Sequence, residues 1–415
     1  MLRTIRVDQL RLGMYVHGLQ GSWIDHPFWK TRFVLDDPAD LARLRASGVR
    51  ECVIDIRKGL DVAAEAPREA PAAPPAPPAP PAALRPARRT RLEDEAAVAG
   101  RLCAQARRSV SALHEQARMG RALTVEGCVP LVDDIAASMQ RNAGALLGLV
   151  RLKSHDDYTF MHSVAVCTLM VVLSRRMGLP EPQVREAGLA GLLHDVGKAK
   201  IPLAVLNKPG KLSPDEYRLV QQHPRLGHEL LVAAGVAAAS ALDVCLHHHE
   251  RPDGQGYPEG LAGADFSLLA RMGAVCDVYD AITSNRPYKS GWGPADSIAK
   301  MAEWTRAGKL DAEVFRAFVD CVGIYPVGSL VRLRSERLAV VVEHNPQAPV
   351  APRVKVFYSI RAQLTQPAEA LDLSQPGCRD HIVGRESNGK WRFPFLDSLA
   401  APLAAGARPP TKEPA

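Results

Sequence analysis

Hydrophobic positions recur at steps of three and four residues through most of the chain between residues 91 and 310. Such spacing places apolar side chains along one face of a helix. It is clearest in six segments, which are residues 98–113, 131–152, 164–177, 184–193, 217–233 and 268–282. The pattern therefore predicts a large region that is helical almost throughout.

Short alternating stretches appear instead at the two ends of the chain. Residues 13–19 and 52–56 predict strands, with a helix between them that opens at Asp37-Pro38 and closes at Gly48. Further alternation predicts strands at residues 330–333, 339–342 and 354–358. We expect a mainly α protein, with a small N-terminal α+β domain and a short C-terminal β appendage.

Proline and alanine dominate residues 66–86. This composition favours extended polyproline II, so it predicts a semi-rigid spacer or a disordered loop. The tail has a similar composition and is also expected to be disordered. The predicted units are an N-terminal α+β domain, a linker, connecting helices, a main helical domain, a β-rich appendage and a tail, at residues 1–65, 66–90, 91–150, 151–326, 327–398 and 399–415.

Composition and charge narrow the class of protein. Of the 415 residues, 47% are hydrophobic, yet no apolar run approaches the length of a membrane span, and the N-terminus does not resemble a signal peptide. Eight scattered cysteines without a CxxC pair predict reduced, mostly buried thiols. We therefore expect a cytoplasmic protein with no membrane partner.

The net charge of +7 has much of its excess between Arg85 and Arg121. A solvated, arginine-rich helix face explains this better than a nucleic-acid surface. Neither zinc-finger spacing nor an aromatic and basic RNA-binding pattern accompanies it, so no nucleic-acid polymer is expected as a partner.

The candidate chemistry is concentrated at His194-Asp195, which is followed by Val-Gly-Lys and ends an apolar helical segment, residues 187–193. An imidazole and a carboxylate facing the interior of a bundle need partners, because their desolvation costs several kcal/mol. A metal ion is the natural partner. Imidazole and carboxylate ligands suit iron, manganese, zinc and similar ions, and no nearby thiolate selects a softer one.

Further candidate ligands lie on other helical segments of the same domain: His162, His223, the His247-His248-His249 run and Asp277. A single buried histidine is more often a core residue, but several on separate helices favour a ligand set. Six or more ligands exceed the needs of one metal with an open position, so two metals bridged by a carboxylate is the economical interpretation. Two such metals can polarise a phosphoryl oxygen and activate water, and Lys198 can meet the phosphate.

The blocks HDVGKAKIPLAVLNKPGKLSPDEY, QQHPRLGHELL, HHERPDGQGYPEGLAG and ARMGAVCDVYDAITSNRPYK closely resemble the HD-GYP family. That family is a branch of the HD phosphohydrolases and hydrolyses the bacterial second messenger cyclic di-GMP. The likeness covers about residues 157–326 and implies an all-helical HD-type catalytic domain there. The N-terminal stretch resembles a small domain of unestablished function that often precedes such domains.

The resemblance implies roles for individual residues. Asp195 would be the bridging, catalytic carboxylate, and His247 an extra residue that does not bind metal. Lys198 would be catalytic and, with Arg286 and Lys289, would bind the substrate's phosphates. Gly256-Tyr257-Pro258 would form a motif loop with a structural or protein-contact role. The metal ligands would be His162, His194, Asp195, His223, His248, His249 and Asp277.

One departure concerns the number of metals. Family members with a third metal have a glutamate one helical turn before the histidine that corresponds to His162, and Tyr158 stands there in this chain. A phenol is a poor substitute, so we expect two divalent ions, with iron or manganese favoured. We hypothesise that such a centre favours cleavage to linear pGpG over complete conversion to GMP.

Three functions remain open from the residues. The first is an active cyclic di-GMP phosphodiesterase. The second is a low-turnover cyclic di-GMP receptor or scaffold, and the intact ligands and motif loop argue against it. The third is an HD hydrolase of another nucleotide, against which the motif loop and Arg286 with Lys289 argue. Signalling proteins could bind the motif loop, and the long helix before the catalytic domain could mediate a homodimer.

Overall fold

The computed structural model describes residues 2–20, 33–46, 51–60, 90–150, 158–284, 291–345 and 347–401. The chain divides into two compact units, Met1–Leu84 and Arg85–Ala415. The proline-rich segment, Arg286, Lys289 and the end of the tail from residue 402 lie outside the described residues. The expectations for them remain predictions, as do the six unit boundaries.

The first unit contains a four-stranded antiparallel sheet and one helix. The strand order is β1-β4-β2-β3. Asp37 accepts a hydrogen bond from the Ala39 amide at 2.8 Å, which explains why the helix begins where the sequence predicts. The predicted strands and helix are confirmed with shifted ends, whereas β1 and β3 were not predicted. The elements are β1 (Leu2–Arg6), β2 (Tyr15–Gln20), β3 (Phe33–Val34), α1 (Pro38–Ala46) and β4 (Glu51–Asp55).

The second unit is mainly helical, as predicted. Its central helix is buried all round at residues 161–171, where α3, α5, α10 and α12 pack against it. A helix enclosed in this way needs few polar positions. The helices are α2 (Leu92–Arg118), α3 (Cys128–Val150), the central α4 (Tyr158–Arg176), α5 (Glu181–Leu193), α6 (Leu203–Leu206), α7 (Pro214–Val220), α8 (His223–Ala233), α9 (Ala239–His247), α10 (Leu268–Thr283), α11 (Pro294–Arg306) and α12 (Ala312–Val322).

Two helical segments differ from the prediction. Residues 217–233 are not one helix: α7 ends at Val220 and α8 begins at His223, with Pro224 at its first turn. The apolar period across this break does not mark one buried face, because Tyr217 and Leu219 of α7 are exposed whereas α8 buries Leu231. Within α3, Asn142 leaves helical geometry and its side chain donates a hydrogen bond to the Thr90 carbonyl at 3.1 Å.

A five-stranded antiparallel sheet follows the helices, in the order β8-β7-β6-β5-β9. The three predicted strands are confirmed. The edge strands were missed because β8 is exposed over most of its length and has no apolar face to reveal it. The elements are β5 (Leu330–Leu333), β6 (Arg337–Glu343), β7 (Arg353–Ser359), β8 (Leu364–Asp372), β9 (Ile382–Arg385), α13 (Asn388–Trp391) and α14 (Leu396–Ala400).

Three further expectations can be compared with the structure. Leu399 and Ala400 belong to α14 rather than to the disordered tail predicted from residue 399. All eight cysteines are free and six are buried, as predicted. No helix among the described residues has the length and apolar character required to cross a membrane.

Buried His114 on α2 generates a prediction about acid stability. Its ring packs edge-on against Phe160, with centroids 5.5 Å apart, and burial lowers its pKa to about 4. The unfolded ring titrates near 6.5, so unfolding takes up a proton below that pH and stability falls as the pH drops towards 4. For this one group, the free energy of unfolding should be about 2 kcal/mol lower at pH 5 than at pH 7.5.

Denaturant titrations of the parent chain and of His114→Leu at both pH values measure this effect. Between pH 7.5 and pH 5, the free energy of unfolding should fall by about 2 kcal/mol less in the variant than in the parent. Equal losses in the two proteins would show that His114 does not contribute.

Candidate metal centre

Five segments of the helical unit bring the seven predicted ligands together. His162 lies on α4, His223 begins α8, and Asp277 lies on α10. His194 and Asp195 follow α5, and His248 and His249 follow α9. Six of the seven are buried, and His249 is partly exposed. The seven side chains therefore lie together in one cluster, and their role as metal ligands stays a prediction.

The turn after α5 holds Asp195 against α8. Residues Val196–Lys200 form a short 3₁₀ helix that packs on α8. A Cβ added at Gly197 would lie 1.9 Å from the His223 carbonyl oxygen and 2.5 Å from the Gly227 amide nitrogen. Only glycine allows this approach, so the Gly197 position explains how Asp195 comes to meet His223.

The carboxylate of Asp195 faces two groups of imidazoles. Its Oδ2 atom lies 3.4 Å from His162 Nε2 and 3.3 Å from His194 Nε2. Its Oδ1 atom lies 3.3 Å from His223 Nε2 and 3.7 Å from His248 Nε2. One oxygen per group is the geometry expected of a carboxylate that bridges two metal ions.

Asp277 spans the same two groups from α10. Its Oδ1 atom lies 2.9 Å from His162 Nε2 and 3.9 Å from His194 Nε2. Its Oδ2 atom lies 3.8 Å from His249 Nδ1. The ring of His249 is also close to that of His223, with centroids 5.0 Å apart.

Four of the histidine rings are oriented by hydrogen bonds at their outer nitrogen. A ring whose Nδ1 atom bonds to a protein oxygen presents its Nε2 atom as a metal ligand. The Nδ1 atom of His162 bonds to Asp280 Oδ2 at 2.6 Å. The Nδ1 atoms of the other three rings bond to main-chain carbonyl oxygens: that of Gly191 for His194 (2.8 Å), Val220 for His223 (2.7 Å) and Val244 for His248 (3.0 Å).

The donor set fits divalent metal ions. Among the described residues, His194 Nε2 and Asp195 Oδ1 are buried and make no hydrogen bond, although both point into the cluster. Buried polar atoms without partners are rare, and a cation would satisfy both. Three overlapping groups have ligand atoms close enough to hold an ion: His223 with His248 and His249, His162 with His194 and Asp277, and His194 with Asp195 and His248.

The protonation states of three of the ligands suit metal binding. His162 differs, because burial would lower its pKa but its hydrogen bonds to Asp277 and Asp280 raise it. Burial alone would raise the pKa of Asp195, but His194 and Lys198 hold it well below the usual range. Burial would also raise the pKa of Asp277, but the hydrogen bond to His162 and the charges of the neighbouring histidines together hold it well below the usual range. Burial lowers the pKa of His249 to about 3. Ionised carboxylates and neutral imidazole are the forms that bind metal.

Lys198 lies beside the cluster, with Nζ 2.5 Å from Asp195 Oδ2 and a side chain that is 23% exposed. It can therefore reach both the carboxylate and the solvent-facing side of the site. Arg286, Lys289 and the side chain of Tyr158 lie outside the described part of the chain. Their predicted roles are not tested by the geometry.

The motif loop forms a wall of the site. The ring of Tyr257 stacks on His249, with centroids 4.6 Å apart, and its amide donates to the His249 carbonyl at 3.2 Å. A Cβ at Gly256 would lie 2.5 Å from the Glu250 Cα, so the chain passes too close there for a side chain. Pro258 follows, and its carbonyl accepts a hydrogen bond from Arg225 at 3.3 Å.

Glu250 holds that loop through hydrogen bonds to its main chain. Its buried carboxylate accepts hydrogen bonds from three successive amides, those of Glu259, Gly260 and Leu261, at 2.6, 3.1 and 3.0 Å. Charge-assisted bonds of this kind are stronger than neutral ones and hold the loop in one conformation. Within the described structure, these contacts give the loop a structural role beside the ligands.

His247 contacts two carboxylates outside the ligand cluster. Its Nδ1 atom lies 2.7 Å from Asp243 Oδ1, and its Nε2 atom lies 3.4 Å from Glu259 Oε2. It therefore belongs to a polar group between α9 and the motif loop.

Three buried residues in and around the centre were not predicted from the sequence. Asp280 orients His162, Glu250 anchors the motif loop, and buried His114 lies on the helix that packs against the turn carrying Lys198. The spacing of Asp280, one helical turn after Asp277, was a usable signal, because both must lie on one face of α10. No comparable pattern marks Glu250 or His114.

A helical bundle with a buried His/Asp cluster at its centre can hold metal ions, and a pair of such ions suits a metal-dependent hydrolase. Two family models match: an HD domain over residues 141–314 and a domain of unknown function over residues 2–128. The chain is 54% identical to a cyclic di-GMP phosphodiesterase of Pseudomonas aeruginosa, over 97% of both proteins. It therefore belongs to the HD-GYP family of cyclic di-GMP phosphodiesterases.

Two other relatives match a smaller share of the chain. The cyclic di-GMP phosphodiesterase response regulator RpfG of Xanthomonas campestris pv. campestris is 48% identical over 34% of this chain and 36% of its own. The 3'3'-cGAMP-specific phosphodiesterase 1 of Vibrio cholerae is 36% identical over 40% of this chain and 38% of its own.

The contact between Asp280 and His162 predicts a loss of metal affinity on substitution. Asp280→Ala removes the acceptor that orients the ring, and losses of about 10- to 100-fold are typical of such changes. Asp280→Asn retains an acceptor oxygen and should lose less. Competition of the chain with a chromogenic chelator for Mn²⁺ measures both affinities.

Asp215→Asn, at an exposed site on α7, is the matched control and should bind metal as the parent does. Unchanged affinity in Asp280→Ala, with an unchanged circular dichroism spectrum, would exclude the orienting role.

Proposed function

We propose that this chain is a metal-dependent phosphodiesterase that hydrolyses cyclic di-GMP to linear pGpG. The observation that carries the proposal is the placement of Asp195, with one carboxylate oxygen towards each of two imidazole groups. The full-length relative in Pseudomonas aeruginosa supports the choice of substrate, since its name records that activity.

The ligand geometry supports a dinuclear centre. We propose that His162, His194 and Asp277 hold one ion, that His223, His248 and His249 hold the other, and that Asp195 bridges them. When bound, a pair of ions of this kind polarises a phosphoryl oxygen and lowers the pKa of coordinated water towards about 7. Iron and manganese suit the nitrogen and oxygen donors.

The other polar residues would position the substrate. Lys198 is close enough to Asp195 to hold a phosphate oxygen beside the ligand cluster as a point charge. From the resemblance, we assign Arg286 and Lys289 to the remaining phosphate contacts. Tyr257 lies against His249, so the motif loop keeps that ring in place and limits the access of water from its side.

Tyr158 supports two ions rather than three. It begins α4, one turn before His162, where a third-metal ligand would be a carboxylate. Without a third ion, the linear product pGpG would have fewer groups to hold it for a second cleavage. We therefore propose pGpG as the main product, with slow conversion to GMP.

A second candidate substrate is another cyclic dinucleotide. The similarity of part of this chain to a 3'3'-cGAMP-specific phosphodiesterase favours this candidate, since hydrolysis of either cyclic dinucleotide cleaves the same kind of phosphodiester bond. The receptor hypothesis has less support, because the ligand cluster is complete. A cytoplasmic location, signalling partners at the motif loop and a homodimer through the long α2 helix remain proposals from the sequence.

The bridging role of Asp195 predicts joint loss of metal and turnover. Replacing a residue that only orients a metal ligand typically lowers metal affinity or activity by about 10- to 100-fold. Asp195 is itself a proposed ligand, so Asp195→Ala should lower the turnover of cyclic di-GMP by more than about 100-fold. Metal analysis of the purified chain should give two ions in the parent and fewer than one in the variant.

Circular dichroism provides the folding control for that comparison. If a folded Asp195→Ala chain turned over cyclic di-GMP at the parent rate, Asp195 would not be a ligand of the metal centre. Three ions in the parent, or GMP formation without a build-up of pGpG, would contradict the dinuclear proposal.

The assignment of Arg286 predicts a different pattern of kinetic change. Arg286→Ala removes a phosphate contact, so KM for cyclic di-GMP should rise by about tenfold or more while metal content stays at the parent level. Lys289→Ala should behave similarly, and Lys300→Ala, at an exposed site on α11, should not. A loss of metal with unchanged KM would place Arg286 in the metal site instead.

A further inference from the structure

A cavity of about 700 Å³ lies next to α10, and Asp280, the hydrogen-bond partner of His162, is among the residues that line it. Its walls come from the start of α2, the kink in α3, the end of α12 and strands β6 to β8 of the C-terminal sheet. Thr283 of α10 also lines it. The volume lies in the range of small-molecule sites, and it is larger than an inorganic ion needs.

The charges on its sheet wall favour an anion. Arg353 and Lys355 are two residues apart on β7, so both side chains lie on the same face of the sheet. Arg353 pairs with Glu343 at 3.5 Å. Lys355 pairs with no carboxylate among the described residues, and its recorded hydrogen bond goes to the Leu399 carbonyl at 3.0 Å.

The environment of Lys355 is unfavourable for an ammonium group. Burial lowers its pKa, and the neighbouring Arg353 lowers it further. An ammonium has three donors, so the bond to Leu399 leaves capacity for a ligand. A half-buried cation that lacks a counter-charge gains from binding an anion, because the pair recovers part of the lost solvation.

The other charged residues of the cavity are already compensated. Arg141, on the opposite wall, is held by both carboxylate oxygens of buried Glu95, at 2.8 and 2.7 Å. Asp280 is bound to His162, and Glu343 to Arg353. The uncompensated charge is therefore positive and lies at Lys355.

We propose that this cavity binds a nucleotide-sized phosphate ester, with Lys355 and Arg353 holding the phosphate and the rest of the ligand filling the space towards α3 and α10. A lysine meets phosphate as a point charge and an arginine as a planar fork, so the pair suits that group. The site is separate from the metal centre and does not depend on the proposed reaction.

Calorimetric titration of the metal-loaded full chain with GMP tests this proposal. The titration should contain a binding component for GMP. Its affinity should fall by about tenfold or more in Lys355→Gln, since a charge-assisted bond is lost. Lys355→Arg retains the charge and should bind within a few-fold of the parent. Lys390→Gln, an exposed lysine of the same region, is the matched control and should have no effect.

A parallel titration of Lys198→Gln separates the two sites, because that variant should keep the component that Lys355→Gln loses. GMP binding that disappears in Lys198→Gln and is unchanged in Lys355→Gln would overturn the proposal. So would an affinity for inorganic phosphate equal to that for GMP, since the cavity would then not recognise the rest of the ester.

Lys355 could instead serve only to cap the end of α14. In that case Lys355→Gln would lower the melting temperature but leave GMP binding at its parent affinity. That result would also overturn the proposal.

Discussion

The burial of the Asp195 carboxylate among four imidazoles is the constraint on which the catalytic unit depends. A charged group in that position is costly unless its oxygens are satisfied. Two histidines face each oxygen at 3.3 to 3.7 Å, which is suitable for metal ions to lie between them. The helix ends and turns around Asp195 are arranged to bring those rings to it.

The supporting contacts are spread over several elements. Main-chain carbonyls of Gly191, Val220 and Val244 each hold the outer nitrogen of one ring, and a side chain, Asp280, holds the fourth. Because carbonyls within helices and turns move little, the rings are oriented before any ligand arrives. Such preorganisation is what a centre for phosphodiester hydrolysis requires.

The motif loop and the cavity connect this centre to the rest of the unit. Glu250 holds the loop through three amides, so Tyr257 stays stacked on His249. Asp280 contacts His162 and also lines the proposed anion cavity. The motif loop thus supports His249, and the cavity shares the residue that orients His162.

The sequence by itself predicted the helical unit, a His/Asp metal site and the reaction class, and the family resemblance then implied which seven residues would be the ligands. This was possible because apolar periodicity and spaced His and Asp residues are local patterns. Only the tertiary structure decided which oxygen of Asp195 meets which ring, and that Asp280 and Glu250 support the site. It also placed Lys355 beside a cavity whose walls include α2 and α3, which are more than 200 residues away in sequence. Those relationships depend on packing between distant segments, which leaves no periodic signal along the chain.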